Sequence, residues 1–133
     1  MAIAIVQLGS PRPPNEGLRV GTVRRPPRGV PKAEFASRNY YDVWLPLLSP
    51  SVDLMKEAQA AQALQGVAAD KAWAVFTRKF RAELEGGEAA RVLDLLAAMS
   101  LHANLAVGCY CDDEARCHRS VLRALLVERG AKV

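Results

Sequence analysis

The chain has 133 residues, half of them apolar, enough to bury one continuous core without help from disulfides. It holds no apolar run approaching the eighteen or so residues of a membrane helix, and the start MAIAIVQLG has neither a basic front nor a cleavage site. Membrane insertion and secretion are therefore not indicated, and a cytoplasmic location is expected. The net charge of +4 is uneven, since residues 1–40 carry seven bases against two acids and the rest carry eleven against twelve. A basic first third points to an anionic partner for that segment, either a small phosphate-bearing ligand or nucleic acid.

In chain order, the apolar run Ala2 to Gly9 is rich in β-branched residues and ends at a turn-rich stretch, as a buried parallel strand does. Leu18 to Val23 repeats the form and leads into RRPPRGVPK. All eight prolines fall between Pro11 and Pro50, so 9–50 is expected to be a long loop region with room only for a helical turn around KAEFASR. Arginines alternating with prolines there stand on a stiff, extended backbone, which suits either contact with a ligand or a plain surface spacer.

From Pro50 the spacing becomes helical. Ser51 is placed to cap a helix through VDLMKEAQAAQAL, with Asp53 in its first turn and Gly66 as a stop. ADKAWAVFTRKFRAEL sets Trp73, Phe76, Phe80 and Leu84 on one stripe, a core face. After Gly86 and Gly87, EAARVLDLLAAMS predicts another helix with Val92, Leu95, Leu96 and Met99 inward. Asn104 to Tyr110 reads as a third strand. Arg119 to Gly130 reads as a closing helix with Val121, Leu122, Leu125 and Leu126 inward and Gly130 as its stop.

Short apolar strands alternating with helices predict a single α/β domain over 1–133, a small and mainly parallel sheet flanked by helices in a Rossmann-like three-layer arrangement. Ligands of such sheets bind beyond the carboxyl ends of the strands. Parallel strands would bring three loops to one rim. The first holds Ser10 and Arg12, the second Arg24, Arg25 and Arg28, and the third the segment Cys111 to Arg119.

That last loop lies within CYCDDEARCHRSVLRALL, which holds all three cysteines of the chain. As zinc ligands, Cys109, Cys111, Cys117 and His118 offer the right atoms at the wrong spacing. All four fall within ten residues, and adjacent residues on a helix diverge by roughly 100°. No metal and no cofactor is therefore assigned. Cys117 and Arg123 satisfy C-x5-R, yet the segment between them lacks the glycine that a phosphate-cradling loop needs. The remaining reading is a helix start where exposed amides, His118 and Arg119 favour an anion and where Cys117 gains thiolate character. Cys117, His118 and Arg119 are accordingly the candidate reactive residues, and Cys109, on its strand, is expected to be a packed thiol. Asp112, Asp113 and Glu114 are read as a solvated acidic turn, and His102 as structural.

VGTVRRPPRGVPKAEFASRNYYDVWLPLLSPS and CYCDDEARCHRSVLRALL together resemble the bacterial family known as domain of unknown function 488, the YeaO-like group. The resemblance covers Arg19 to Ser51 and Cys109 to Leu126, and the AW-VF-F-L helix between them agrees. It implies a compact α/β domain whose distinguishing polar features are Arg24, Arg25 and Arg28 on one side and Cys117, His118 and Arg119 on the other. At Cys111 this chain departs from the residue many members carry. Within YYDVWLP, Tyr41 and Trp44 either stack on a planar ligand beside the arginines or pack the long loop onto the domain.

The expected function is therefore binding of a small anionic or phosphate-bearing ligand by Ser10, Arg12, Arg24, Arg25, Arg28, Tyr41 and Trp44 next to the Cys-His-Arg helix start, with thiol-dependent chemistry open. The alternative is an accessory domain that contacts nucleic acid or a protein through its basic first third.

Overall fold

The computed structural model describes residues 2–133. Among them lie four strands, β1 (Ile3–Gln7), β2 (Leu18–Gly21), β3 (Val43–Trp44) and β4 (Leu105–Cys109), and four α-helices, α1 (Val52–Gln62), α2 (Gly66–Leu84), α3 (Gly87–Met99) and α4 (His118–Glu128). The sheet has the order β1-β4-β2-β3 and every pair is parallel. β4 is thus central, with Cys109 beside Gln7 on one flank and Gly108 beside Gly21 on the other. All five of its residues are buried, which accounts for its unbroken apolar sequence.

Side chains alternate across the sheet and give it two unlike faces. Ile3, Val20, Leu105 and Val107 face the helices and join one core with Leu54, Phe76, Phe80, Leu84, Leu93, Leu96, Leu122 and Leu125. The Trp73–Phe76–Phe80 stripe packs as its spacing predicts, with Trp73 stacked on Phe76 at 4.9 Å between ring centres. α3 turns Leu96 and, in part, Val92 inward as expected, but not Leu95 and Met99. Ala89, Leu93, Leu96 and Ala97 are its buried residues, whereas Leu95 and Met99 face solvent. Alanines at 89 and 97 let the helix approach closely, and that fixes which stripe turns inward.

The third layer, on the opposite face, is the 9–42 segment itself. Its short 3-10 turn at Lys32–Glu34 coincides with the expected helical turn. Glycine is required in β2 at Gly21, where a Cβ would run into the Tyr41 ring. Arg19, fully buried on this face, donates from all three guanidinium nitrogens: to both carboxylate oxygens of Glu16 and to the carbonyls of Ser10, Pro11 and Asn39. One arginine therefore ties both ends of the loop layer to the sheet. No helix in the described residues is long and apolar enough to cross a membrane.

Candidate functional site

Beyond the carboxyl ends of β2 and β4 the chain encloses a cavity of about 810 Å³. One wall is the loop after β2, with Val23, Arg24, Arg25, Pro26, Pro27 and Arg28. The opposite side is the end of β4 and the start of α4, with Cys109, Tyr110, Cys111 and His118. A face of α1 closes it with Val52, Met55, Lys56 and Gln59. Among the described lining residues are three arginines and a lysine and no carboxylate, so the cavity carries a positive field.

The arginines differ in freedom. Arg24 donates to the carbonyls of Ser49 and Pro50 at 3.0–3.2 Å and so anchors the loop to the approach of α1. Arg25 and Arg28 are exposed and have no hydrogen-bonding or ionic partner among the described residues, leaving their guanidinium groups available. The Arg25 carbonyl is bound by the Tyr110 hydroxyl at 2.9 Å, and Tyr110 meets Tyr40 edge-on, which holds the lip of the cavity together.

The chain reaches the cavity floor through two turns. After β4 it passes Asp112 and Asp113, reverses in a 3-10 turn at Glu114–Arg116, and arrives at Cys117, the extended N-cap residue of α4. The reversal returns Cys117 to the end of β4, where its sulfur stands 2.6 Å from that of Cys109. Both sulfurs are buried, Cys117 at 2% exposure, in a small cluster with Leu8, Val23 and Tyr41. All three cysteines are free thiols. Cys109 is a packed thiol as expected, although its packing partner is another sulfur.

His118 is held by its Nε2, which donates to the Thr22 carbonyl at 2.7 Å. A carbonyl only accepts, so Nε2 carries a proton, and the other ring nitrogen, Nδ1, faces Cys117 Sγ at 3.8 Å. Arg119 donates to the Cys111 carbonyl at 2.6 Å, while its Nε is buried without an acceptor among the described residues. Hydrogen bonding from Cys109 and then Cys111 holds the Cys117 thiol far below its ordinary range, with His118 adding to this and burial opposing it. The same bonds to Cys111 and Cys117 push the Cys109 thiol far up. For Cys111, bonding to Cys109 acts downward, yet Cys117 and burial push the thiol up to about 11. Of the three sulfurs, Cys117 is the one the surroundings favour as thiolate.

The residues picked out from sequence divide into two sets. Arg24, Arg25, Arg28 and His118 line the cavity. Cys117, Arg119 and Tyr41 lie beneath or behind it, all buried. Ser10 and Arg12 follow β1 and turn toward the loop layer: Ser10 bonds the Gln7 carbonyl, and Arg12 pairs with Asp42 at 2.7 Å. Trp44 is half exposed and donates to the Val23 carbonyl at 2.7 Å, bracing the arginine loop from outside the cavity. The lining residues that sequence reading missed are Ser49, Tyr110 and a face of α1. Val52, Met55, Lys56 and Gln59 follow the spacing i, i+3, i+4, i+7, a second helical stripe beside the core one.

A family model described as the active DUF488-N3 subclade matches residues 3–130, nearly the whole chain. The chain belongs to the DUF488 family. The two stretches that carried the resemblance in the sequence, the arginine-proline loop and the Cys-His-Arg helix start, are the two sides of the cavity in the fold. No curated protein and no solved structure matches the chain.

Proposed function

We propose that this DUF488 protein binds a phosphate-bearing or otherwise anionic ligand in the cavity, with Arg25, Arg28 and Lys56 as its charge contacts and the Cys-His-Arg segment as its floor. What supports this reading above all is that a loop from early in the chain and a helix start from its end contribute to one cavity whose charged lining is wholly basic. Guanidinium groups bind phosphate and carboxylate through paired N–H donors, and on a loop stiffened by Pro26 and Pro27 they lose less freedom on binding. Arg24, Trp44 and Tyr110 position that loop.

Cys117, His118 and Arg119 are the proposed reactive end, and the subclade's description as active accords with a floor of reactive groups. A bound ligand would meet Cys109, Cys111 and His118 first, because these line the cavity and Cys117 does not. Direct attack by Cys117 would need that sulfur to come forward.

Titration calorimetry with inorganic phosphate tests the binding reading. Arg25→Ala and Arg28→Ala should each weaken binding about tenfold, the equivalent of one charged hydrogen bond, with unchanged circular dichroism. Unchanged affinity in both would remove the proposal. The alternative, contact with nucleic acid through the basic first third, predicts instead a single-stranded oligonucleotide affinity that falls steeply with salt.

A further inference from the structure

Arginine contacts to an anion do not account for two thiols and an imidazole converging below it. Sγ of Cys109, Sγ of Cys117 and a ring nitrogen of His118 all lie within 4.8 Å of one another. Cys111, only partly buried, lines the same cavity beside Cys109 and His118.

The spacing in sequence weighs against a shared cation, because adjacent helical residues diverge. The backbone removes that objection. Cys117 is not helical: at φ −120° and ψ 152° it is extended, and the 3-10 turn before it folds the chain back on β4. Its side chain and that of His118 therefore meet, with Nδ1 and Sγ 3.8 Å apart. Bonds of about 2.0–2.3 Å from a tetrahedral zinc set neighbouring donors roughly 3.3–3.8 Å apart. The Cys109 and Cys117 sulfurs, at 2.6 Å, would part by about an ångström to admit the ion.

Two surrounding groups fit a metal. The Thr22 carbonyl fixes the His118 tautomer from its outer nitrogen, as the outer partner of a metal-bound histidine does, and leaves Nδ1 free to coordinate. Three thiolates and a neutral imidazole on a divalent ion leave one negative charge. Arg119, only 3% exposed, stands against Cys117 with its Nε unpartnered among the described residues, a buried positive charge placed to balance it.

We propose that Cys109, Cys117 and His118, with Cys111 from the cavity lining as fourth donor, form a zinc site in the cavity floor, in which Cys117 is a metal ligand in place of a nucleophile. Thiolate and imidazole ligands select zinc over hard cations such as magnesium or calcium. Binding releases the remaining thiol protons to solvent and involves no change of oxidation state. Cys111 is the ligand nearest the opening, being the least buried of the three cysteines.

The test is the metal itself, read with no anion present, so its failure leaves the anion proposal standing and the converse also holds. The chain purified from zinc-supplemented culture is analysed by plasma mass spectrometry, and the chelated protein is titrated with Co2+ while the thiolate-to-cobalt charge-transfer band is followed. One zinc per chain and a saturable band are expected. Cys117→Ser should weaken Co2+ binding by more than about 100-fold, beyond what loss of an outer partner costs. Should Cys117→Ser fail to fold by circular dichroism, Cys111→Ser, at a less buried position, carries the same test and should weaken binding as well. Zinc at trace level with no charge-transfer band, or Co2+ binding unchanged in the folded variant, would overturn the site.

Discussion

Arg19 and Arg25 lie six residues apart in the same basic third of the chain and have opposite fates. Arg19 is fully buried, has all three guanidinium nitrogens bonded within the protein, and ties the loop layer to β2. Arg25 is exposed, has no partner among the described residues, and faces a cavity. In sequence the two add the same charge to one patch. In the fold the first is cancelled by Glu16 and only the second contributes to an outward field. A cluster of positive residues thus becomes a binding surface only through those members the fold leaves without partners.

Substitution at each kind of arginine site separates internal from outward charge. The largest effect is expected from Glu16→Gln. It leaves the Arg19 charge buried without its counter-ion, and urea unfolding should show a loss of about 3–5 kcal/mol, whereas Arg25→Ala should change stability by less than about 0.5 kcal/mol. Equal costs at the two sites would erase the distinction between internal and outward arginines. Gly21→Val should cost about 1–3 kcal/mol by driving a side chain into the Tyr41 ring, and near-wild-type unfolding would show that the loop layer yields there.

The smallest effect concerns Arg12, which pairs with Asp42 at a partly exposed position. Hydrogen bonding from Arg12, and then from the Arg19 amide, outweighs burial and holds the Asp42 carboxyl below the usual range. A carboxyl lowered on folding stabilises the protein above its unfolded pKa, and that contribution is lost as pH falls through the folded value. Asp42→Asn should therefore flatten the acid side of the stability curve, by under about 1 kcal/mol for so exposed a pair. An unchanged acid limb would mean that the pair contributes nothing.

Much of the fold was legible because glycine and proline punctuate the chain at element ends and because buried parallel strands read as unbroken apolar runs. β3 escaped notice, as a two-residue strand has no period to detect. The facing of α3 was misread at Leu95 and Met99, which are as apolar as the residues that turned inward. At the site, the pairing of the arginine loop with the helix start followed from parallel topology. The role of α1 did not, since Lys56 and Met55 meet the cavity only through how α1 packs. Nor did the convergence of Cys117 and His118, which depends on an extended backbone at one residue.

The proposed anion contacts are the free arginines of the cavity, Arg25 and Arg28. Their most direct test is a calorimetric titration of inorganic phosphate into the wild type, Arg25→Ala, Arg28→Ala and Arg12→Ala. Binding about tenfold weaker is expected for the two cavity arginines, and wild-type affinity for Arg12→Ala, whose guanidinium is engaged by Asp42. Wild-type affinity in all three variants, or equal losses in all three, would contradict this assignment.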